Sequence, residues 1–124
     1  MAAMIDHLTL TVRDVQKTRA FLEKVLAPLG YSVRMTFESF VGFGDEKKPY
    51  LWLKPGDPPS RPMHLAFRAR TRAQVDAFHA AALAAGGQDN GAPDLRPQYH
   101  PSYYGAFVLD PEGNNVEAVS HRPE

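Results

Sequence analysis

Two stretches, His7-Leu-Thr-Leu-Thr-Val12 and His64-Leu-Ala-Phe-Arg-Ala69, decide how this sequence folds. Each alternates as a half-buried strand does, with successive side chains on opposite faces. Each leads into a helical segment opened by a capping residue, Asp14 in one and Thr71 in the other. Thr71 and Gln74 also have the spacing of a capping box, which satisfies otherwise orphaned N–H groups at a helix start. Phe21 follows His7 at the interval at which Phe78 follows His64, and glycines close both helical segments, Gly30 in one and Gly86-Gly87 in the other. Strand, cap, helix and stop thus recur at an offset of 57 residues, the mark of an internal repeat.

β-type sequence follows each helix. In the first half Tyr31 to Met35, Ser39 to Gly44 and Tyr50 to Lys54 read as three short strands. In the second half Tyr103 to Leu109 and Asn115 to Val119 read as strands joined by the turn Asp110-Pro-Glu-Gly113. Between them Gln88 to Pro101 holds three prolines and reads mostly as a long loop, so the strand expected after the second helix is poorly marked. Pro55-Gly-Asp-Pro-Pro-Ser-Arg-Pro62 is a proline-rich linker. The order β-α-β-β-β, twice, predicts a single α+β domain over residues 1–124. Its modules span about 4–54 and 63–120, with the linker at 55–62, and each forms a sheet with its helix on one face.

Composition narrows the function classes. The 124 residues carry a formal net charge of zero, which argues against a nucleic-acid or anionic-membrane partner. The absence of cysteine excludes disulfides, thiolate metal sites and cysteine nucleophiles. Met1 to Leu10 lacks a basic region followed by an apolar run, and no stretch approaches the roughly 20 apolar residues of a membrane span. The expectation is a cytoplasmic protein acting on a small molecule.

Strand alternation sorts the side chains. Leu8, Leu10 and Val12 should pack on the first helix through Val15, Phe21, Leu22 and Val25, which turns His7, Thr9 and Thr11 the other way. Leu65 and Phe67 lie toward the second helix, with His64, Ala66 and Arg68 opposite. Val116 and Ala118 alternate with Asn115, Glu117 and Val119. Three strands therefore put His7, His64 and Glu117 on the faces that the helices leave uncovered. A lone strand histidine is ordinarily a hydrogen-bonded core or rim residue. Two that are equivalent under a repeat, with a carboxylate beside them, point instead to a divalent metal. Two imidazoles and one carboxylate leave coordination positions for water, substrate or dioxygen. Fe2+ is the first choice for such a site, and Zn2+, Mn2+ and Ni2+ are compatible with the same donors.

Around this triad, Thr9 is a candidate for binding substrate oxygens, Trp52 for a substrate wall and Arg68 for an anionic substrate group. The segment Pro97-Gln-Tyr-His-Pro-Ser-Tyr-Tyr104 runs toward the mouth of the site, with Tyr103, Gly105 and Phe107 sharing the cavity face. His100 and Tyr103 are the candidate catalytic groups, as acid/base or oxygen-binding residues, and Phe107 joins the substrate-binding set. His79 and His121 read as solvated.

At these residues the chain resembles the vicinal oxygen chelate superfamily: glyoxalase I, extradiol dioxygenases, fosfomycin-resistance transferases and bleomycin-resistance proteins. The resemblance rests on Asp6-His-Leu-Thr-Leu-Thr-Val12, on His64-Leu-Ala-Phe67 and on Gly105-Ala-Phe-Val-Leu-Asp-Pro-Glu-Gly-Asn-Asn-Val-Glu117. It implies paired βαβββ modules forming a U-shaped, cup-like sheet with helices on the outside. It also puts His7, His64 and Glu117 on three metal-ligand positions, and it implies a homodimer. The fourth ligand position of glyoxalase I corresponds to Trp52, and an indole nitrogen, being only a donor, cannot bind a metal there. The pattern therefore favours ring-cleaving dioxygenation over lyase or isomerase chemistry of the glyoxalase type. A metal-free drug-sequestering protein of the bleomycin-resistance type and an antibiotic-modifying thiol transferase are the rivals. Module pairing within one chain and exchange between chains are both compatible with the sequence.

Overall fold

The protein is described by a computed structural model covering residues 5–124; Met4, the first residue of the expected first module, lies outside the described residues. The first module runs β1 (Leu8–Val12), α1 (Val15–Leu26), a single 3-10 turn (Ala27–Leu29), β2 (Ser32–Phe37), β3 (Phe40–Gly44) and β4 (Pro49–Pro55). The second runs β5 (His64–Arg68), α2 (Arg72–Ala84), β6 (Gln88–Leu95), β7 (Tyr104–Leu109) and β8 (Asn115–Ser120). The two four-stranded sheets have the equivalent orders β1-β4-β3-β2 and β5-β8-β7-β6, with β1 parallel to β4 and β5 parallel to β8. Neither sheet closes, and β1 and β5 are both edge strands.

Each helix starts where its cap places it. Asp14 accepts from the Lys17 N–H at 3.0 Å and Thr71 from the Gln74 N–H at 3.2 Å. Gln74 returns a bond to the Arg70 N–H, one residue ahead of the cap itself. Val15, Thr18, Leu22 and Val25 recur on one buried stripe of α1, flanked by Phe21 and Leu26. That stripe meets Leu10, Val12, Leu51 and Leu53 on the helix side of its sheet, and α2 buries Val75, Phe78 and Ala82 in the same way. The helices also pack on each other, and one continuous core joins both modules. Burial of this shared core fixes how the modules sit, since separating them would return apolar surface to water.

One expectation fails here. Gln88 to Leu95 is not a loop but the edge strand β6, paired antiparallel with β7. Its register shifts between Asp89 and Gly91 and again between Gly91 and Asp94, so the strand lacks regular alternation. Pro93 is tolerated because β6 is an edge strand, where a missing N–H leaves no partner unbonded. The strand also corrects the reading of His79, whose side chain is only 12% exposed and whose Nε2 lies 3.0 Å from Asp89 Oδ1.

The turn before β8 positions the site. The Asp110 carboxylate accepts from the N–H groups of Glu112 and Asn114, and Gly113 supplies the positive φ of 86°. Asn114 Oδ1 accepts from the Met63 N–H at 2.8 Å, and the Met63 carbonyl accepts from Asn115 N–H at 2.8 Å. Met63 is thereby held on both sides, which sets His64 opposite Asn115 and Ala66 opposite Glu117. Asn114→Ala removes the bonds to Met63 and Asp110, a loss of about 2 kcal/mol at roughly 1 kcal/mol per buried bond. Thermal unfolding followed by circular dichroism should show a Tm lower by roughly 10 °C, whereas an unchanged Tm would mean the turn does not hold the register.

Candidate metal centre

The cross-strand pairs identify each sheet's uncovered face. In the second module Ala66, Glu117, Phe107 and Gly91 lie in one row, and Arg68, Val119, Gly105 and Asp94 in the next. His64 precedes this pair of rows on the same face of β5. The sheet therefore brings His64, Glu117 and Phe107 together, with Tyr103 just before β7.

Glu117 is the unusual member. Its side chain is 1% exposed, yet it is a carboxylate on the face that no helix covers. Oε1 lies 2.7 Å from His64 Nε2, and Oε2 accepts from the Tyr103 hydroxyl. Gly105 makes this possible, because a Cβ there would stand 3.2 Å from Glu117 Oε2 and 3.1 Å from the Tyr103 ring. Burial first, and the bond to Glu117 second, push the Tyr103 phenol far above its ordinary value. Tyr103 therefore stays protonated near neutral pH and acts as a donor rather than a base.

His100 reaches the site through Tyr103. Its Nδ1 accepts from the Ser102 N–H at 3.0 Å, which leaves the proton of the neutral ring on Nε2. Nε2 lies 2.6 Å from His121 Nδ1, and the two rings stack at 4.8 Å. Both press on the Tyr103 ring edge-on, at 5.6 and 5.3 Å. His121, expected to be a solvated tail residue, is thus part of the support for Tyr103. Desolvation first, then the charges of His100 and Arg68, hold its pKa below the ordinary histidine value.

His7 stands apart. It precedes β1 in the other sheet, 53% exposed, with Nδ1 2.7 Å from Asp6 Oδ1. Lys48 Nζ lies 2.5 Å from the same oxygen, and Lys48 and then His7 lower the Asp6 pKa. This carboxylate contact assigns the His7 proton to Nδ1 and leaves the Nε2 lone pair free, the arrangement common around metal-ligating histidines. Among the described residues, however, no three His, Cys, Asp or Glu side chains stand close enough to hold an ion. The chain joins two of the three expected ligands and keeps the third in its first module.

The remaining candidates divide the same way. Thr9 and Trp52 are cross-strand partners on the uncovered face of the first sheet, in a row with Gly42 and Met35. Trp52 lies over Gly42, where a Cβ would come within 3.1 Å of the indole. Phe107 touches His64, with ring centres 5.9 Å apart. Arg68 borders a cavity of about 820 Å³ lined also by Asp6, Tyr31, Lys48 and Tyr50 of the first module. The sequence reading missed Arg96, whose guanidinium lies 5.4 Å from the Phe107 ring centre. No local pattern marks it, because its place depends on β6.

A family model described as the glyoxalase/bleomycin resistance protein/dioxygenase superfamily matches residues 4–118. No curated protein matches the sequence. Among solved structures, a glyoxalase/bleomycin resistance protein from Albidiferax ferrireducens is similar at 27% identity and a TM-score of 0.81, over 95% of this chain and 99% of that one. A possible glyoxalase from Bacillus cereus is similar at 29% identity and a TM-score of 0.69, over 95% and 99% of the two chains. A mutant of the fosfomycin resistance protein FosX from Listeria monocytogenes, complexed with Mn(II) and 1S,2S-dihydroxypropylphosphonic acid, shares the fold at 21% identity and a TM-score of 0.71, over 97% and 91%.

Proposed function

We propose, on the premise that this chain belongs to the glyoxalase/bleomycin resistance protein/dioxygenase superfamily, that it is a cytoplasmic, divalent-metal-dependent enzyme acting on a small oxygen-bearing substrate. Its ion is held by His64 and Glu117 of one copy and His7 of a second. The observation that carries this reading is Glu117. A buried carboxylate costs several kcal/mol in desolvation, and here its contacts are an imidazole and a phenol on an uncovered sheet face. Nothing in the core requires it.

The donor set fits the ion. His64 Nε2 and Glu117 Oε1 are adjacent at 2.7 Å, and an imidazole nitrogen beside a carboxylate oxygen is a donor pair that would hold a divalent ion. His7 offers Nε2 with its other nitrogen on a carboxylate. Among the described residues His7 does not join His64 and Glu117 in one cluster, which supports a second copy as the source of the third ligand. That makes the working unit a homodimer. No helix among the described residues is long and apolar enough to cross a membrane.

When bound, the ion supplies Lewis acidity toward neighbouring substrate oxygens and, if it is iron, dioxygen chemistry. The chain supplies the rest. Tyr103 orients Glu117 and keeps a proton at its hydroxyl. His100 and His121 hold the Tyr103 ring. Phe107 on one face, and Trp52 with Thr9 from the partner module, wall the site. Arg68 lies at its edge. Trp52 in place of a fourth ligand leaves positions open, which supports ring-cleaving dioxygenation ahead of lyase or isomerase chemistry. A metal-free binder would leave the buried Glu117 without a use.

The test is turnover of catechol-type substrates under oxygen by protein loaded with Fe2+. Parallel arms use Mn2+ or Zn2+ with hemithioacetal and epoxide–thiol substrates. Ring cleavage supports the dioxygenase reading, and turnover only in the parallel arms moves the reaction to lyase or transferase chemistry. Drug binding by metal-free protein with no turnover in any arm would replace the enzyme reading with sequestration.

A further inference from the structure

Arg96 is fixed in place by main-chain carbonyls and an aromatic ring. Its backbone N–H donates to the Tyr103 carbonyl at 2.7 Å, and the side chain turns back over β6. Nη2 donates to the Ala92 carbonyl at 2.6 Å and, more loosely, to the Gly105 carbonyl at 3.4 Å. The guanidinium lies 5.4 Å from the centre of Phe107, whose ring also touches His64. Gly91 opens room for the stack: with φ at 151°, a Cβ there would come within 2.9 Å of Phe107 and 3.3 Å of Arg96 Nη2.

Its charge is uncompensated. Among the described residues no carboxylate lies within ion-pair distance of Arg96. Nε is buried without a hydrogen-bond partner. Glu117, on the same face, is committed to His64 and Tyr103. A half-buried guanidinium stabilised only by carbonyls and an aromatic face is unfinished electrostatically, and its planar fork is matched by an oxyanion.

We propose that Arg96 is the anion subsite of this centre, and that the substrate carries a carboxylate or phosphonate group bound there while its neighbouring oxygens face His64 and Glu117. This assignment rests on the metal-site reading for the second half of the substrate, but not for the anion contact itself. The class of ligand is a small anionic molecule that also carries oxygen donors.

Nuclear magnetic resonance of 15N-labelled protein tests it, through the Arg96 side-chain Nε–H signal and the amides of Tyr103 and Phe107. The titrants are acetate, methylphosphonate and uncharged acetamide. Wild-type protein should show saturable shifts with at least one anion and none with acetamide, and the tighter anion names the group. Arg96→Gln should weaken that anion at least tenfold while still binding Mn2+, and Arg96→Lys should fall between. In metal-free His64→Ala protein the anion shifts should persist, so a failed metal site and a failed anion site give different results. Absence of saturable shifts in wild-type protein, or equal affinity in folded Arg96→Gln, overturns the proposal.

Discussion

A one-to-one mixture of His7→Ala and His64→Ala proteins should bind metal, although neither variant alone retains it. Each variant by itself lacks one ligand at every site. In a mixed dimer, one site takes His7 from the His64→Ala chain and the pair His64 and Glu117 from the His7→Ala chain, and is whole. The other site lacks both histidines. Random exchange of subunits makes half the dimers mixed, so recovery should approach a quarter of the wild-type metal. Mn2+ binding followed by electron paramagnetic resonance, after co-refolding the variants, reads this directly. Recovery would establish that the ligands come from two copies. Loss in each variant with no recovery in the mixture would instead require both modules of one chain to close on one ion.

Glu117→Gln should lower Mn2+ affinity by at least a hundredfold while leaving Tm unchanged or raised. The substitution keeps the size of the side chain and removes the set's only anionic donor, the strongest attraction the site offers a divalent cation. Folding loses little, because a buried amide escapes the desolvation cost that a carboxylate bears in the metal-free chain. Calorimetric titration against Mn2+, with a melting curve beside it, separates the two effects. Equal affinity in the variant would remove Glu117 from the ligand set. A collapse of Tm with no change in affinity would recast it as a structural residue.

Local pattern carried the modules and the first site contacts, and long-range packing hid the remainder. The two histidine strands, the caps at Asp14 and Thr71 and the turn at Asp110 are written in short-range spacing, so both βαβββ units were legible. The alternation of β8 against β5 was enough to bring Glu117 to His64. β6 was not legible, because two register shifts and Pro93 erase its period of two. That one omission had consequences, since Asp89 on β6 is the side-chain partner of His79 and Arg96, which stands over Phe107, directly follows the strand. The separation of His7 from Glu117 was out of reach for another reason. It depends on how the two modules share a core, and no spacing along the chain encodes that packing.

Metal content tests the central claim most directly. Untagged protein, purified without chelator, is measured by mass spectrometry beside the His64→Ala variant after both are offered Fe2+, Mn2+ and Zn2+. About one equivalent of a single divalent metal per chain in the wild type, and none in the variant, is the expected result. Full occupancy in His64→Ala, or no uptake by wild-type protein, would contradict a centre built on His64, Glu117 and His7.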